Sequence, residues 1–235
     1  MSVTGSPPRA ASPTTLMLAL TFSTGVVDAV GYLGLDRVFT GNMTGNVVIL
    51  AMALTGADGL PVLGPLLALL GFAAGAALGG RLLRGRPAGW HGATTGILAG
   101  VAGCLLLLAG LLILPGVDEP RRLVVTALLG GAMGAQAAAA RQVAVPDVST
   151  VVVTSTITGL AADSVFGNGK GSQWRRRGIA VLLIMAGALA GALLLRVHIA
   201  LGLTLSAVLS LVVARSGHRA HAVPTTPVPA EERTA

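Results

Sequence analysis

Polar side chains crowd residues 40–46, where Thr40-Gly41-Asn42 is followed at once by Thr44-Gly45-Asn46. The surrounding sequence is apolar, and hydroxyl and amide groups are costly in hydrocarbon unless they are paired or face a polar cavity. Asn supplies a carbonyl acceptor and amide donors, Thr supplies a hydroxyl, and Gly allows close backbone approach. Together these residues suit a binding site or a solute pathway. Interhelical hydrogen bonding is the structural alternative. A looser counterpart lies in the second half at Thr150, Thr154, Ser155, Thr156, Thr158 and Gly159, followed by Asp163. Asn42 and Asn46 would share a helical face at i, i+4, as would Thr154 and Thr158.

Asp28 stands in the preceding apolar run, about 21 Å along a helix beginning near residue 14. Thr21, Thr24, Asp28 and Tyr32 form one polar stripe beside Gly25 and Gly31. An ionisable group within a membrane span is costly and marks a functional site by default. Asp28 could carry protons or bind a cation. Pairing with Arg37 or a nearby helix end is the structural alternative. Gln136, in Met133-Gly134-Ala135-Gln136-Ala137, takes the corresponding place in the fifth segment. Asp163 is expected to cap a helix end or meet the loop at 167–171.

Other chemistries lack their constellations. Gly167-Asn168-Gly169-Lys170-Gly171 has neither the Walker spacing nor a Ser or Thr directly after the Lys. His91, His198, His218 and His221 form no metal-ligand set. No nucleophile–base pair has motif-level spacing. No enzyme activity, metal or cofactor is expected. The lone Cys104 has no intrachain disulfide partner and reads as a small buried hydrophobe.

These residues are carried by a very apolar chain. It has 235 residues, 53% hydrophobic and 11% charged, against about 25% charged in soluble domains. Mean hydropathy is +0.81. The expectation is an all-α integral membrane protein with a polar N-terminal tail (1–13), one membrane domain (14–214) and a disordered, basic, Pro-rich tail (215–235). The first apolar run reads as a retained helix rather than a cleaved signal. Nucleic-acid binding is a poor reading of the +7 charge, because the Arg residues are scattered between apolar segments without interleaved aromatics.

Apolar segments fall near 14–35, 40–56, 62–83, 92–114, 123–140, 147–165, 178–195 and 198–214. A span needs roughly 20 residues, so 40–56 and 147–165 are marginal, and they carry the polar motifs. If these two are half-helices or re-entrant segments, six spans remain. An N-in chain then places 12 Lys and Arg residues inside and leaves Arg37, Arg121, Arg122 and Arg196 outside. Eight spans give 10 inside and 6 outside. Six spans obey the positive-inside rule better and put both termini in the cytoplasm. The halves, about 14–114 and 123–214, are weakly similar. Three spans each would make them inverted repeats, an arrangement that builds midplane sites in transporters. Gly71/Gly75/Gly79, Gly92/Gly96/Gly100 and Gly187/Gly191 read as small-residue packing faces.

Several of these segments carry a resemblance: Gly25-Val-Val-Asp28-Ala29-Val-Gly-Tyr32-Leu33; Val38-Phe39 with Asn42-Met43-Thr44-Gly45-Asn46; Met133-Gly134-Ala135-Gln136-Ala137; and Val153-Thr154 with Thr158-Gly159. Through them, residues of about 14–214 resemble the YoaK-type family of small bacterial membrane proteins, defined by a domain of unknown function. The resemblance implies a polytopic protein of the bacterial inner membrane and supplies no substrate. The expected function is a small-solute or ion transporter or channel. Its pathway would be built from Asp28, Tyr32, Thr40, Asn42, Thr44, Gly45, Asn46, Gln136, Thr154, Thr158 and Gly159, with a solute, ion or proton as cargo. A non-transporting accessory subunit or scaffold is the alternative. The chain's small size is compatible with a homodimer.

Overall fold

The computed structural model describes residues 11–114, 116, 118–144, 153–164, 167 and 174–222. Eight α-helices follow one another: α1 (Pro13–Gly34), α2 (Met43–Leu54), α3 (Leu63–Leu83), α4 (Gly92–Ile113), α5 (Glu119–Val143), α6 (Val153–Ala162), α7 (Trp174–Leu195) and α8 (Ile199–Ala222). Local sequence starts several of them. The Ser12 hydroxyl accepts from the Thr15 amide ahead of Pro13, and Asp118 accepts from the Arg121 amide ahead of Glu119 and Pro120. Side-chain caps with Pro in the first turn are strong helix-start signals.

Among the described residues six helices are long and apolar enough to cross a bilayer: α1, α3, α4, α5, α7 and α8. At 12 and 10 residues, α2 and α6 reach only about 18 and 15 Å, roughly half of a ~30 Å hydrocarbon core. α8 continues to Ala222, so residues 215–222, expected in the tail, belong to the last helix. Thr150, residues 168–171 and residues 223–235 lie outside the described residues.

The two halves pack as symmetric equivalents. α1 lies on α7, as α5 lies on α3, while α4 and α8 pack together. The first two pairs are joined through glycines. A Cβ on Gly187 would meet the Phe22 carbonyl, and one on Gly191 the Val26 carbonyl. Likewise a Cβ on Gly71 would meet the Ala127 carbonyl, and one on Gly75 the Gly131 carbonyl. Residue numbers rise together across each pair, so each pair is parallel. A shift of 105 residues carries Phe22 onto Ala127 and Val26 onto Gly131, and so maps α1 onto α5.

The α4–α8 pair decides the number of crossings. Trp90, just ahead of α4, packs on Gly217 near the end of α8, so the two helices are antiparallel. Eight alternating crossings would make α4 and α8 parallel. Six crossings, with α2 and α6 not spanning, make them antiparallel, as found. With three spans in each half, the halves run in opposite directions across the bilayer.

The core is apolar, with Leu20, Val27, Leu98, Leu105, Leu129 and Leu203 buried. Leu70, Leu78, Leu182 and Leu189 face outward, as a lipid-facing surface requires. Among the described spans α1 is the most enclosed, and it carries the polar stripe of Thr21, Thr24, Asp28 and Tyr32.

Candidate functional site

The site begins where the chain leaves α1. Asp36 and Arg37 take left-handed backbone angles, φ +67° and +58°, which reverse the chain onto the helix it has just left. The Arg37 amide then donates to the Tyr32 carbonyl (3.1 Å) and the Val38 amide to the Gly31 carbonyl (3.4 Å). Gly31 is required for this return, since a Cβ there would run into the Val38 carbonyl oxygen.

Once returned, the chain delivers two backbone donors to Asp28. The Thr40 and Gly41 amides donate to Asp28 Oδ1 at 2.9 and 2.6 Å. Asp28 is 8% exposed, so these bonds replace water at a buried carboxyl. The carboxyl also sits at the N-terminal end of α2, the positive end of that helix's dipole. Among the described residues it has no ion-pair partner, so its anchor is the helix end rather than Arg37.

Asn46 closes the turn from the other side. Its Oδ1 accepts from the Phe39 amide at 2.9 Å, and its Nδ2 donates to the Phe39 carbonyl at 2.5 Å. A side-chain amide thus pairs with both backbone groups of one residue, as a neighbouring strand would. The Phe39 ring stacks on Tyr32 with centroids 5.0 Å apart, and Gly45 faces that ring where a Cβ would press into it.

Beside this turn lies a cavity of about 720 Å³, within the range of small-molecule sites. Its polar wall comprises Asp28, Tyr32, Asn42, Thr44 and Thr154, with Gly41 and Gly45 leaving backbone accessible. Phe39, Val48, Ile49, Val153 and Ile184 form the apolar wall. The cavity therefore joins α1, the head of α2 and the head of α6, which belongs to the other half. Asp28 is the one charged residue among those lining it.

The remaining expected site residues lie outside the cavity. Thr40 lends its amide to Asp28, while its buried hydroxyl has no partner among the described residues. Gln136 is buried between α5 and α1; Nε2 donates to Thr24 Oγ1 at 3.4 Å, and Oε1 has no partner among the described residues. The 105-residue shift sets Asp28 against Met133, so Gln136 stands about one turn beyond its expected equivalence. Thr158 bonds back to the Thr154 carbonyl at 2.9 Å. Gly159 packs under the Arg177 guanidinium, which pairs with Asp163 at 2.6 Å. Asp163 thus meets α7, while residues 168–171 of the loop it was also expected to meet lie outside the described residues.

Sequence reasoning gave no site role to Phe39, Val48, Ile49, Val153 and Ile184, although Phe39 and Val153 stand in the motifs of the resemblance. Apolar wall residues carry no chemical signature, although the seven-residue spacing of Phe39 and Asn46 across a Gly-rich turn hints at the clamp. Among the described residues no group of three or more His, Cys, Asp or Glu gathers around one point.

Two inverted three-span halves, each with a short helix ending at a shared cavity, define a multi-pass helical membrane protein. The chain belongs to the DUF1275 family of proteins of unknown function, which matches residues 16–216. It is 35% identical over 156 residues to the UPF0700 transmembrane protein YoaK of Bacillus subtilis (strain 168), covering 66% of this chain and 68% of that protein. No solved structure matches.

Proposed function

We propose that the protein moves a small polar solute or an ion across the bacterial cytoplasmic membrane, through the cavity beside Asp28. The observation that carries this reading is the composition of the wall. Residues from α1, α2 and α6 put a carboxyl, a phenol, an amide and two threonine hydroxyls around one space of about 720 Å³.

Polar groups at such depth are costly unless they serve a ligand or a hydrated path. The short helices present their N-terminal turns to the same space, as broken helices do at transporter sites. Asp28 offsets the positive end of α2 and leaves donors and acceptors side by side on the wall. Such a wall suits a solute that both gives and accepts hydrogen bonds, or an ion shedding part of its water. The arginine-rich end, with Arg81, Arg84, Arg86 and Arg141, faces the cytoplasm on this reading, as do both termini. Asn46 and Thr40 hold the turn that carries this wall, and Thr158 bonds to the carbonyl of Thr154 behind it.

Flux in reconstituted vesicles tests the proposal, using a panel of small polar solutes and monovalent ions. Asp28→Asn, Asn42→Ala and Thr154→Val should each lower flux at least tenfold while the protein remains folded. Undiminished flux in all three variants overturns the assignment of the cavity. No flux for any solute, with a stoichiometric protein partner co-purifying, would instead favour an accessory or scaffold role.

A further inference from the structure

Three small-residue faces look alike in sequence, yet among the described residues only two are covered by protein. Gly71 and Gly75 pack on α5, and Gly187 and Gly191 pack on α1. A Cβ on Gly92, Gly96 or Gly100 of α4 would meet nothing within 4 Å among the described residues. α3 and α4 diverge here, and a second cavity of about 440 Å³ opens between them with α5 at its back. Its wall is almost wholly apolar: Leu78, Leu82, Gly96, Gly100, Cys104 and Ala135 are representative.

The exception is Arg86, which lines the groove where the chain turns from α3 into α4. That turn is fixed in place. Gln142 at the end of α5 donates to the Arg86 and Pro87 carbonyls at 3.1 and 2.6 Å, and the Gly89 amide donates to the Gln142 carbonyl at 2.8 Å. Arg86 Nε donates to the Leu82 carbonyl at 3.3 Å, and no carboxylate among the described residues pairs with its guanidinium. Arg81 and Arg84 stand nearby in sequence, and there is no acidic residue from 59 to 117. An apolar slot with an unpaired guanidinium at one end is complementary to a phospholipid. The slot takes a fatty acyl chain, and the guanidinium takes the phosphate through paired N–H donors.

We propose that this groove binds one anionic phospholipid, with an acyl chain along Gly96 and Gly100 and its phosphate at Arg86. The site is separate from the cavity beside Asp28 and does not depend on its function. The corresponding surface of the second half is closed by protein: Gly202 of α8 faces the Val30 side chain, and Gly34 faces Ile199. The lipid site therefore belongs to one half alone, at the arginine-rich end.

Native mass spectrometry of the detergent-purified full chain tests this, with phosphatidylglycerol and phosphatidylcholine of identical acyl chains as probes. The wild type should retain one phosphatidylglycerol at least tenfold more tightly than phosphatidylcholine. Gly100→Leu fills the groove where no protein atom is displaced, and should weaken retention of both lipids at least tenfold. Gly96→Leu should do the same and serves as the independent variant. Arg86→Gln should bring phosphatidylglycerol down to the phosphatidylcholine level, while Arg84→Gln, off the groove, should leave the preference intact. Unchanged retention in both leucine variants overturns the proposal. So does equal loss in Arg84→Gln and Arg86→Gln, which would indicate diffuse attraction to the basic surface.

Discussion

Asp28 Oδ1 and the Gly41 amide are 2.6 Å apart, and this bond ties a membrane-spanning helix to the residue before the cap of α2. The same oxygen takes the Thr40 amide. One carboxyl thereby sets the position of α2 and, through it, one side of the cavity.

Asp28 should consequently separate folding from function. Asparagine retains a side-chain oxygen for both amides, so Asp28→Asn should fold and unfold thermally within a few degrees of the wild type. Asp28→Leu strands two buried N–H groups and should cost about 3 kcal/mol, read as a large drop in unfolding temperature in detergent. On the transport reading, Asp28→Asn alone still loses flux.

Asn46 is expected to act on stability rather than on solute choice. Asn46→Ala abandons the buried amide and carbonyl of Phe39, at a cost of about 2–3 kcal/mol. Asn46→Asp should not rescue it, because a carboxylate can accept from the Phe39 amide but repels the Phe39 carbonyl. Thermal unfolding of the two variants, which should fall together, checks this.

The glycine faces should divide sharply. Gly75→Leu and Gly187→Leu place side chains against the backbone of a neighbouring helix, and should abolish a monodisperse product in size-exclusion chromatography. Gly96→Leu enters open space and should elute as the wild type does. Equal behaviour of all three would contradict the packing described.

Much of this architecture was legible in the residues. Six long apolar runs, two short polar ones and the charge count favoured six spans over eight, and the antiparallel α4–α8 pair decided between them; the Asp28 stripe pointed to the region of the cavity. What held Asp28 was not legible, because the Thr40 and Gly41 donors are backbone groups and every residue type but proline carries one. Gln136 looked equivalent to Asp28 on spacing alone, whereas the packing register gives that place to Met133. Three glycine faces share one pattern, and only the neighbouring helices distinguish the covered from the open.

Gln136 gives a further prediction from its unpaired oxygen. Gln136→Met removes a buried acceptor without a partner together with one long hydrogen bond of 3.4 Å, at nearly constant volume. Stability should stay within about 1 kcal/mol of the wild type or rise, as measured by thermal unfolding.

Orientation can be read chemically. In a Cys104→Ser background, Arg37→Cys and Arg84→Cys should react with a membrane-impermeant maleimide from opposite sides of the membrane. Labelling of both from the same side would contradict six crossings.

The link from Asp28 to residues 40 and 41 also bears on how the protein is made. A carboxyl entering a bilayer on a nascent helix is exposed to hydrocarbon until its donors arrive. Here they follow 12 and 13 residues behind it, a delay of about one to three seconds at ribosomal speed. The Gln136–Thr24 contact, by comparison, joins residues 112 apart and must wait for the fifth helix. The order of synthesis thus lets the acidic residue find its own chain's shelter before the second half of the protein exists.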